Sequence, residues 1–301
     1  MFDLPSLPNP KRTRTTRLPN WLVKPFHFSD EVRDLKTKLR SRGLHTVCEE
    51  ARCPNLGECW EQGTATFMIL GDICTRHCGF CSVISGEPQA VDATEPAKVA
   101  EMVVLLDLRH VVITCVARDD LKDGGASHFV DVIREIRKNK KDCRVEILTT
   151  DFQTKRPSME ILCREKPDVF NHNLETVERL TDRVRHRATY RHSLEFLKRI
   201  REFNPSLKTK SGIMLGLGEK SEEVLQTLKD LREVGCEILT IGQYLQPTRK
   251  NLPVVEFVEP ETFKAYEDAA CALGFTSVAS GPFVRSSYHA KDMISSWNSK
   301  E

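Results

Sequence analysis

From residue 66 onward, short apolar and β-branched runs alternate with segments of helical period. The runs lie at 66–70, 111–116, 145–149, 168–171, 209–215 and 238–244. Each has the length and residue types of a buried strand. Between them the spacing changes. In 221–234, Val224, Leu228 and Leu231 share one helical face, Glu222 and Glu223 suit a first turn, and Ser221 is placed to cap it. In 261–273, Phe263, Tyr266, Ala270 and Leu273 form a stripe that Gly274 stops. A helix over 95–106 carries Pro96 in its first turn, and a further helix is predicted over 126–139. Strand–helix alternation repeated in this way implies an α/β fold with parallel strands and right-handed crossovers. A barrel-like and a doubly wound sheet both fit. No GxGxxG follows the first strand, which weakens a dinucleotide-binding reading. A seventh apolar run, 275–280, leads into the tail.

Composition adds few constraints. The chain has 301 residues, 40% apolar and 29% charged, enough for a large core. Its net charge of +2 gives no global field for nucleic acid or an anionic membrane. No apolar run approaches the roughly 20 residues needed to span a bilayer. Residues 11–17 read KRTRTTR, but Pro5, Pro8, Pro10 and Pro19 oppose the amphipathic helix of a transit peptide. A basic arm is the better reading. Arg12, Arg14 and Arg17 lack interleaved aromatics, so neither nucleic acid nor membrane is an expected partner. A cytoplasmic location is expected.

The eleven cysteines change the picture. Without a secretory signature, metal or redox chemistry is favoured over disulfides. Cys115, Cys143, Cys163, Cys236 and Cys271 are scattered and read as small hydrophobes, with Cys115 in an apolar run and Cys271 on an apolar helix face. The other six form two groups. Cys74, Cys78 and Cys81 lie in CTRHCGFC, directly after the first strand. In a barrel-like sheet that position is the mouth, where active groups sit. Three thiolates on one short loop can hold three corners of an iron–sulfur cube and leave one iron open to a ligand. Structural zinc takes four ligands, usually as two paired hooks, and His77 is awkwardly placed to complete such a set. Cys48, Cys53 and Cys59, in CEEARCPNLGECW, form a second incomplete triad and read as a second cluster whose fourth ligand comes from elsewhere.

The spacing of the later triad, with Gly79-Phe80 before its last cysteine, resembles the radical S-adenosylmethionine superfamily. CEEARCPNLGECW, GDICTRHCGFC, VARDDLKDGGASHF, FNHNLETV, GIMLGLGE, IGQYLQPT and SGPFVRSSYHA together resemble lipoyl synthases, from about residue 20 to 290. The resemblance implies a partial (β/α)6 TIM-like barrel over 63–275. An N-terminal extension over 1–62 carries the auxiliary motif, and a tail over 276–301 carries RSSYHA. It implies that S-adenosylmethionine chelates the open iron of the Cys74, Cys78 and Cys81 cluster and is cleaved to a 5′-deoxyadenosyl radical. It also implies that two sulfur atoms enter an octanoyl chain on a carrier lysine, drawn from an auxiliary [4Fe–4S] cluster that is dismantled. The implied carriers are lipoyl domains of 2-oxoacid dehydrogenase complexes and the glycine-cleavage H protein. An electron donor such as ferredoxin or flavodoxin and an iron–sulfur carrier would serve the reaction.

Several residue roles follow from the resemblance alone. The fourth auxiliary ligand is a serine of RSSY, Ser287 with Ser286 as the alternative. A hard oxygen on iron is a poorer match than thiolate and is more easily displaced. Phe80, Asn173, Glu175 and Arg185 are expected to contact S-adenosylmethionine. Read without the resemblance, Asn173 suits a helix cap, Glu175 a first helical turn, and Ser286-Ser287 a polar turn. Asp119, Asp120 and Asp123, beside Gly124-Gly125, are read as a pocket-lining loop or a helix start, not as acid–base groups. His45 and His289 are given no metal. Two rivals stand at this point: an RNA-modifying methylthiotransferase, and a zinc-stabilised binding module without catalysis.

Overall fold

The computed structural model describes residues 18–23, 30–50, 53–56, 58, 66–288, 290 and 293. Helix α1 (Asp30–Ser41) leads to a short strand β1 (His45–Thr46) and one helical turn, α2 (Val47–Glu50). The alternating region begins at β2 (Thr66–Ile69). A two-residue pair, β3 (Ile73–Cys74) and β4 (Ile84–Ser85), stands outside the main sheet. Then follow α3 (Glu95–Leu105), β5 (His110–Cys115), α4 (Ala126–Asn139), β6 (Arg144–Leu148), α5 (Arg156–Glu165) and β7 (Val169–Asn171). Two helices, α6 (Thr181–Val184) and α7 (Tyr190–Phe203), separate β7 from β8 (Lys208–Leu215). The series ends with α8 (Ser221–Glu233), β9 (Ile238–Gln243), α9 (Pro260–Ala272) and β10 (Ser277–Gly281).

The main sheet has the order β1-β2-β5-β6-β7-β8-β9-β10, and every pairing except β1 with β2 is parallel. Among the described residues the two ends of the sheet do not pair, so the barrel is open. Six strand–helix units are present, as the alternation predicts. Ser277–Gly281 adds a seventh parallel strand, in register Ser277 with Ile238. An antiparallel edge at His45–Thr46, opposite Met68 and Phe67, was not predicted because two residues carry no period.

Helix α4 shows how the sequence builds one unit. Phe129, Ile133 and Ile136 recur at helical spacing and are fully buried against the sheet. Burying each stabilises by about 1.5–3 kcal/mol. The start is fixed by Asp123, whose carboxylate accepts the N–H groups of Gly125 (3.0 Å) and Ser127 (2.7 Å). Gly125 turns the chain into the helix at φ 90°, a conformation that a side chain strains. Arg137 and Lys138 close the last turn. In α8 the expected cap at Ser221 is not the device used. Ser221 is already helical, and the Glu223 carboxylate accepts the Lys220 N–H at 2.9 Å.

The outer face of the sheet packs under the helices in two apolar clusters, one around α3, α4 and α5 and one around α7, α8 and α9. Cys143, Cys163 and Cys236 are buried, as small hydrophobes should be. Cys271 is not: it is exposed, beside Glu267 and Asp268 on the outer side of α9. The inner face is polar at its floor. There the Lys210 ammonium lies 2.8 Å from the Glu146 carboxylate, Asn171 donates to the same carboxylate at 3.2 Å, and His110 stands 3.5 Å away. Among the described residues no helix is long and apolar enough to cross a membrane.

Candidate active site

The Cys74–Cys81 loop leaves β3 at the C-terminal ends of the parallel strands and returns at β4, with Ile73 opposite Ile84 and Cys74 opposite Ser85. Three sets of bonds hold it. Thr75 fastens it to the end of β5: its N–H and its hydroxyl both donate to the Ala117 carbonyl at 3.0 Å, and its hydroxyl accepts the Asp119 N–H at 3.0 Å. The Gly79 N–H donates to the Val184 carbonyl, and the Gly79 carbonyl accepts the Leu252 N–H, both at 2.9 Å. The Asn251 amide donates to the Cys81 carbonyl at 2.7 Å.

Arg76 supplies the strongest anchor and was not singled out by the sequence reading. Its guanidinium is buried and donates to Asp119 through Nε (2.9 Å) and NH2 (2.7 Å), and NH2 also lies 2.7 Å from Asp151. Arg187 adds a contact to Asp119 at 3.2 Å, and His192 one to Asp151 at 3.1 Å. Burial works against ionised Asp119, yet the Arg76 hydrogen bonds hold its carboxyl down to about 2. Asp119 is therefore a clamp on the cysteine loop. Asp120 pairs with Arg118 at 2.8 Å, and Asp123 starts α4. None of the three is placed as an acid–base pair.

The three thiols are half-buried and free of disulfides. Cys74 sulfur accepts the N–H of Arg76 (3.4 Å) and of Ala117 (3.3 Å), and Cys78 sulfur accepts the His186 N–H (3.4 Å). Burial pushes the Cys81 thiol up to about 12, and the Cys78 thiol also rises through burial. The thiols feel one another's charge and that of Glu175. Among the described residues no three His, Cys, Asp or Glu side chains converge as ligands of a single ion. Ligands of a cube need not converge, because each binds a different iron. His77 is exposed and stacks on His186, with ring centroids 3.9 Å apart.

Beyond β7, Asn173, Glu175 and Arg185 come together at the same mouth. Asn173 donates to Glu175 at 3.1 Å, and Arg185 donates to the Asn173 carbonyl at 2.8 Å and to Ser193 at 2.9 Å. Asn173 caps no helix, and Glu175, at φ 69°, precedes the next helical turn. Burial raises the Glu175 carboxyl, and Arg185 opposes that rise. The Asn173 Oδ1 is buried without a partner, an acceptor that a bound molecule would satisfy. Phe80 packs on the apolar cluster of the C-terminal half.

The earlier cysteine motif lies beside this loop. Cys48 sits in α2, and the Cys53 N–H donates to the Cys48 carbonyl at 3.1 Å. The Ser82 hydroxyl, next to Cys81, donates to the Glu50 carbonyl. Cys48, Cys53, Asn55, Thr66, Arg285, Ser287 and Tyr288 line a small, partly open cavity. The Asn55 amide donates to the Phe283 carbonyl at 2.7 Å, and the Tyr288 hydroxyl to Glu58 at 2.9 Å, so the two ends of the chain meet here. Ser287 faces the cavity. Ser286 turns the other way and accepts from the Asn173 amide at 2.6 Å. His45 lies 3.5 Å from Glu50. Cys59, His289 and the basic stretch 11–17 lie outside the described residues. Among the described residues, two sets of soft donors, the thiols of Cys74, Cys78 and Cys81 and those of Cys48 and Cys53, each beside a polar opening, fit a pair of iron–sulfur clusters and a chelating cofactor.

Comparison with known proteins agrees with this chemistry. Residues 68–231 match the radical SAM superfamily, and residues 6–53 match the N-terminal domain of lipoyl synthase of that family. A lipoyl synthase of Symbiobacterium thermophilum is 51% identical over 291 residues, covering 97% of this chain and 91% of the relative. One from Methylococcus capsulatus is 56% identical over 275 residues, covering 91% and 85%. Among solved structures, Streptococcus suis SuiB bound to S-adenosylmethionine superposes with a TM-score of 0.55 at 12% identity, covering 73% of this chain and 51% of that one. The hydrogenase maturase HydG of Carboxydothermus hydrogenoformans gives 0.54 at 14% identity, covering 76% and 65%. At such identities the structures speak for the fold, whereas the closer sequences speak for the family. This chain belongs to the lipoyl synthase family of the radical SAM superfamily.

Proposed function

We propose that the chain converts an octanoyl group, carried on a lysine of a lipoyl domain, into a lipoyl group by inserting two sulfur atoms. Family membership supports the reaction. The observation that carries the residue assignment is the adjacency of two incomplete thiol sets at one barrel mouth, joined by the Ser82–Glu50 bond. Cys74, Cys78 and Cys81 are assigned to the radical-generating cluster, and Cys48, Cys53, Cys59 and Ser287 to the auxiliary cluster. Ser287 is preferred over Ser286 because it lines the cysteine cavity while Ser286 is engaged by Asn173. When bound, the clusters and S-adenosylmethionine supply reductive cleavage to a radical, hydrogen abstraction from carbon, and the sulfur for two carbon–sulfur bonds.

The chain's own residues bind and orient. Asn173 offers an unpaired buried acceptor and Glu175 a carboxylate, both suited to the polar part of the cofactor. Arg185 steadies both by holding the Asn173 carbonyl. Phe80 offers apolar surface. Arg76, Thr75 and Asn251 fix the cysteine loop, so ligand positions are set before anything binds. The carriers in this reading are lipoyl domains of 2-oxoacid dehydrogenase complexes and the glycine-cleavage H protein. A ferredoxin or flavodoxin supplies electrons, an iron–sulfur carrier restores the auxiliary cluster, and the cytoplasm is the location.

The test is anaerobic turnover with an octanoylated lipoyl domain, using protein whose clusters were rebuilt with isotopically labelled sulfide. The expected product gains two labelled sulfur atoms by mass spectrometry, from protein holding about two [4Fe–4S] clusters. A preparation containing zinc but no iron or sulfide, and giving no product, would sink the reading.

A further inference from the structure

Arg285 lines the cavity that holds Cys48, Cys53 and Ser287. Its one hydrogen bond among the described residues runs from NH1 to the Val284 carbonyl, at 2.7 Å. A guanidinium has five donors in a rigid fork, so most of this fork is uncommitted. No carboxylate pairs with it among the described residues. Among the other arginines around the mouth, Arg76, Arg118 and Arg187 each pair with an aspartate, and Arg185 commits its guanidinium to the Asn173 carbonyl and the Ser193 hydroxyl. The sheet leaves room for the group. Gly242, near the end of β9, has no side chain, and a Cβ there would lie 3.3 Å from Arg285 NH1.

An unpaired cation set into a cavity with two thiols and a serine hydroxyl is electrostatically incomplete. The missing partner is negative and belongs inside the cavity. Iron, sulfide, thiolate and alkoxide ligands together make an anionic assembly, and a nearby cation favours its more negative, reduced form. We propose that Arg285 is the counter-charge of the auxiliary site, a positioning residue that holds the anionic assembly built on Cys48, Cys53 and Ser287. This rests on the reading that the cavity takes a cluster. The uncommitted fork of a guanidinium suits an assembly that loses sulfur, because its donors can follow the remaining anionic atoms.

The test uses full-length protein with Cys74, Cys78 and Cys81 replaced by alanine, so that only the auxiliary site loads. Iron and sulfide content and the midpoint potential, followed by electron paramagnetic resonance, are compared for this parent, Arg285→Lys and Arg285→Gln. R285K keeps the charge and should hold the parent potential. R285Q removes it and should move the potential to a more negative value and lose iron and sulfide faster on standing. Equal potentials in R285Q and the parent, or equal losses in R285K and R285Q, overturn the proposal. Should R285Q not fold, Arg285→Met is read in its place: a more negative potential supports the proposal and a parent-like one overturns it. A parent that takes up no iron at all would instead remove the cluster reading of the cavity, a separate failure.

Discussion

Arg76 is the side chain on which the radical-generating loop depends most. It sits between two proposed ligands, and its guanidinium ties them to Asp119 and Asp151 on two neighbouring strand ends. Removing it would leave the half-buried Asp119 with Arg187 and the buried Asp151 with His192 as remaining partners, and breaking one partner out of a buried ion pair costs about 3–5 kcal/mol. Arg76→Met should therefore lower urea stability by about that amount and reduce iron bound at the Cys74–Cys81 loop, while auxiliary iron persists. Arg76→Lys keeps the charge but not the fork, and should fall between the two. Iron counts that match the parent in R76M would separate the clamp from cluster binding. The six motif cysteines could be proposed as ligands from the sequence because residue type and local spacing mark them. Arg76 was not, because its Asp119 partner is 43 positions away and nothing local pairs them. The serines were only half legible: the motif brought both forward, and their opposite orientations emerge from the fold.

At the level of elements, the strands of the repeating strand–helix series were readable almost to the residue, and the two-residue strands were not. The runs at 145–149 and 209–215 became Arg144–Leu148 and Lys208–Leu215, because β-branched runs flanked by turns have few other uses. What did not show was the close fit between β9 and the turn that follows β10. A Cβ on Gly242 would run into the Val284 carbonyl oxygen, so the strand end is shaped to seat the turn carrying Arg285, Ser286 and Ser287. Overfilling a packed site of this kind costs about 1–3 kcal/mol. Gly242→Ala should lose stability in that range by urea titration. It should also lose auxiliary iron selectively, since the displaced turn carries Ser287 out of the cysteine cavity. An alanine variant with parent-like auxiliary iron would show that the turn has another seat.

For the whole molecule, the polar barrel interior and the clamped mouth set the response to acid. Burial holds the His172 imidazole below its ordinary value of 6.5, with Arg185 acting in the same direction. It is wedged between the Thr149 carbonyl and Ser193, each at 3.0 Å. Below pH 6.5 the unfolded chain therefore takes a proton that the native chain refuses, and stability falls as pH drops. The carboxylates act lower. Burial opposes the charge on Glu146, but Lys210 and His110 hold it down to about 2, against an ordinary 4.5. Asp119 is held to about 2 against 3.8. Their contribution is whole above those ordinary values and is lost as pH falls toward 2. Each proton taken up only by the unfolded chain gives a slope of about 1.4 kcal/mol per pH unit. Urea unfolding of cluster-free protein should therefore weaken in two limbs, a shallow one below pH 6.5 and a steeper one below 4.5. His172→Gln, which can keep both hydrogen bonds, should remove one proton's share of the slope from pH 6.5 down to about 3 and leave the carboxylates' share unchanged. A His172→Gln profile superimposable on the parent would mean that the imidazole titrates alike in both states, and that the shallow limb belongs to another group.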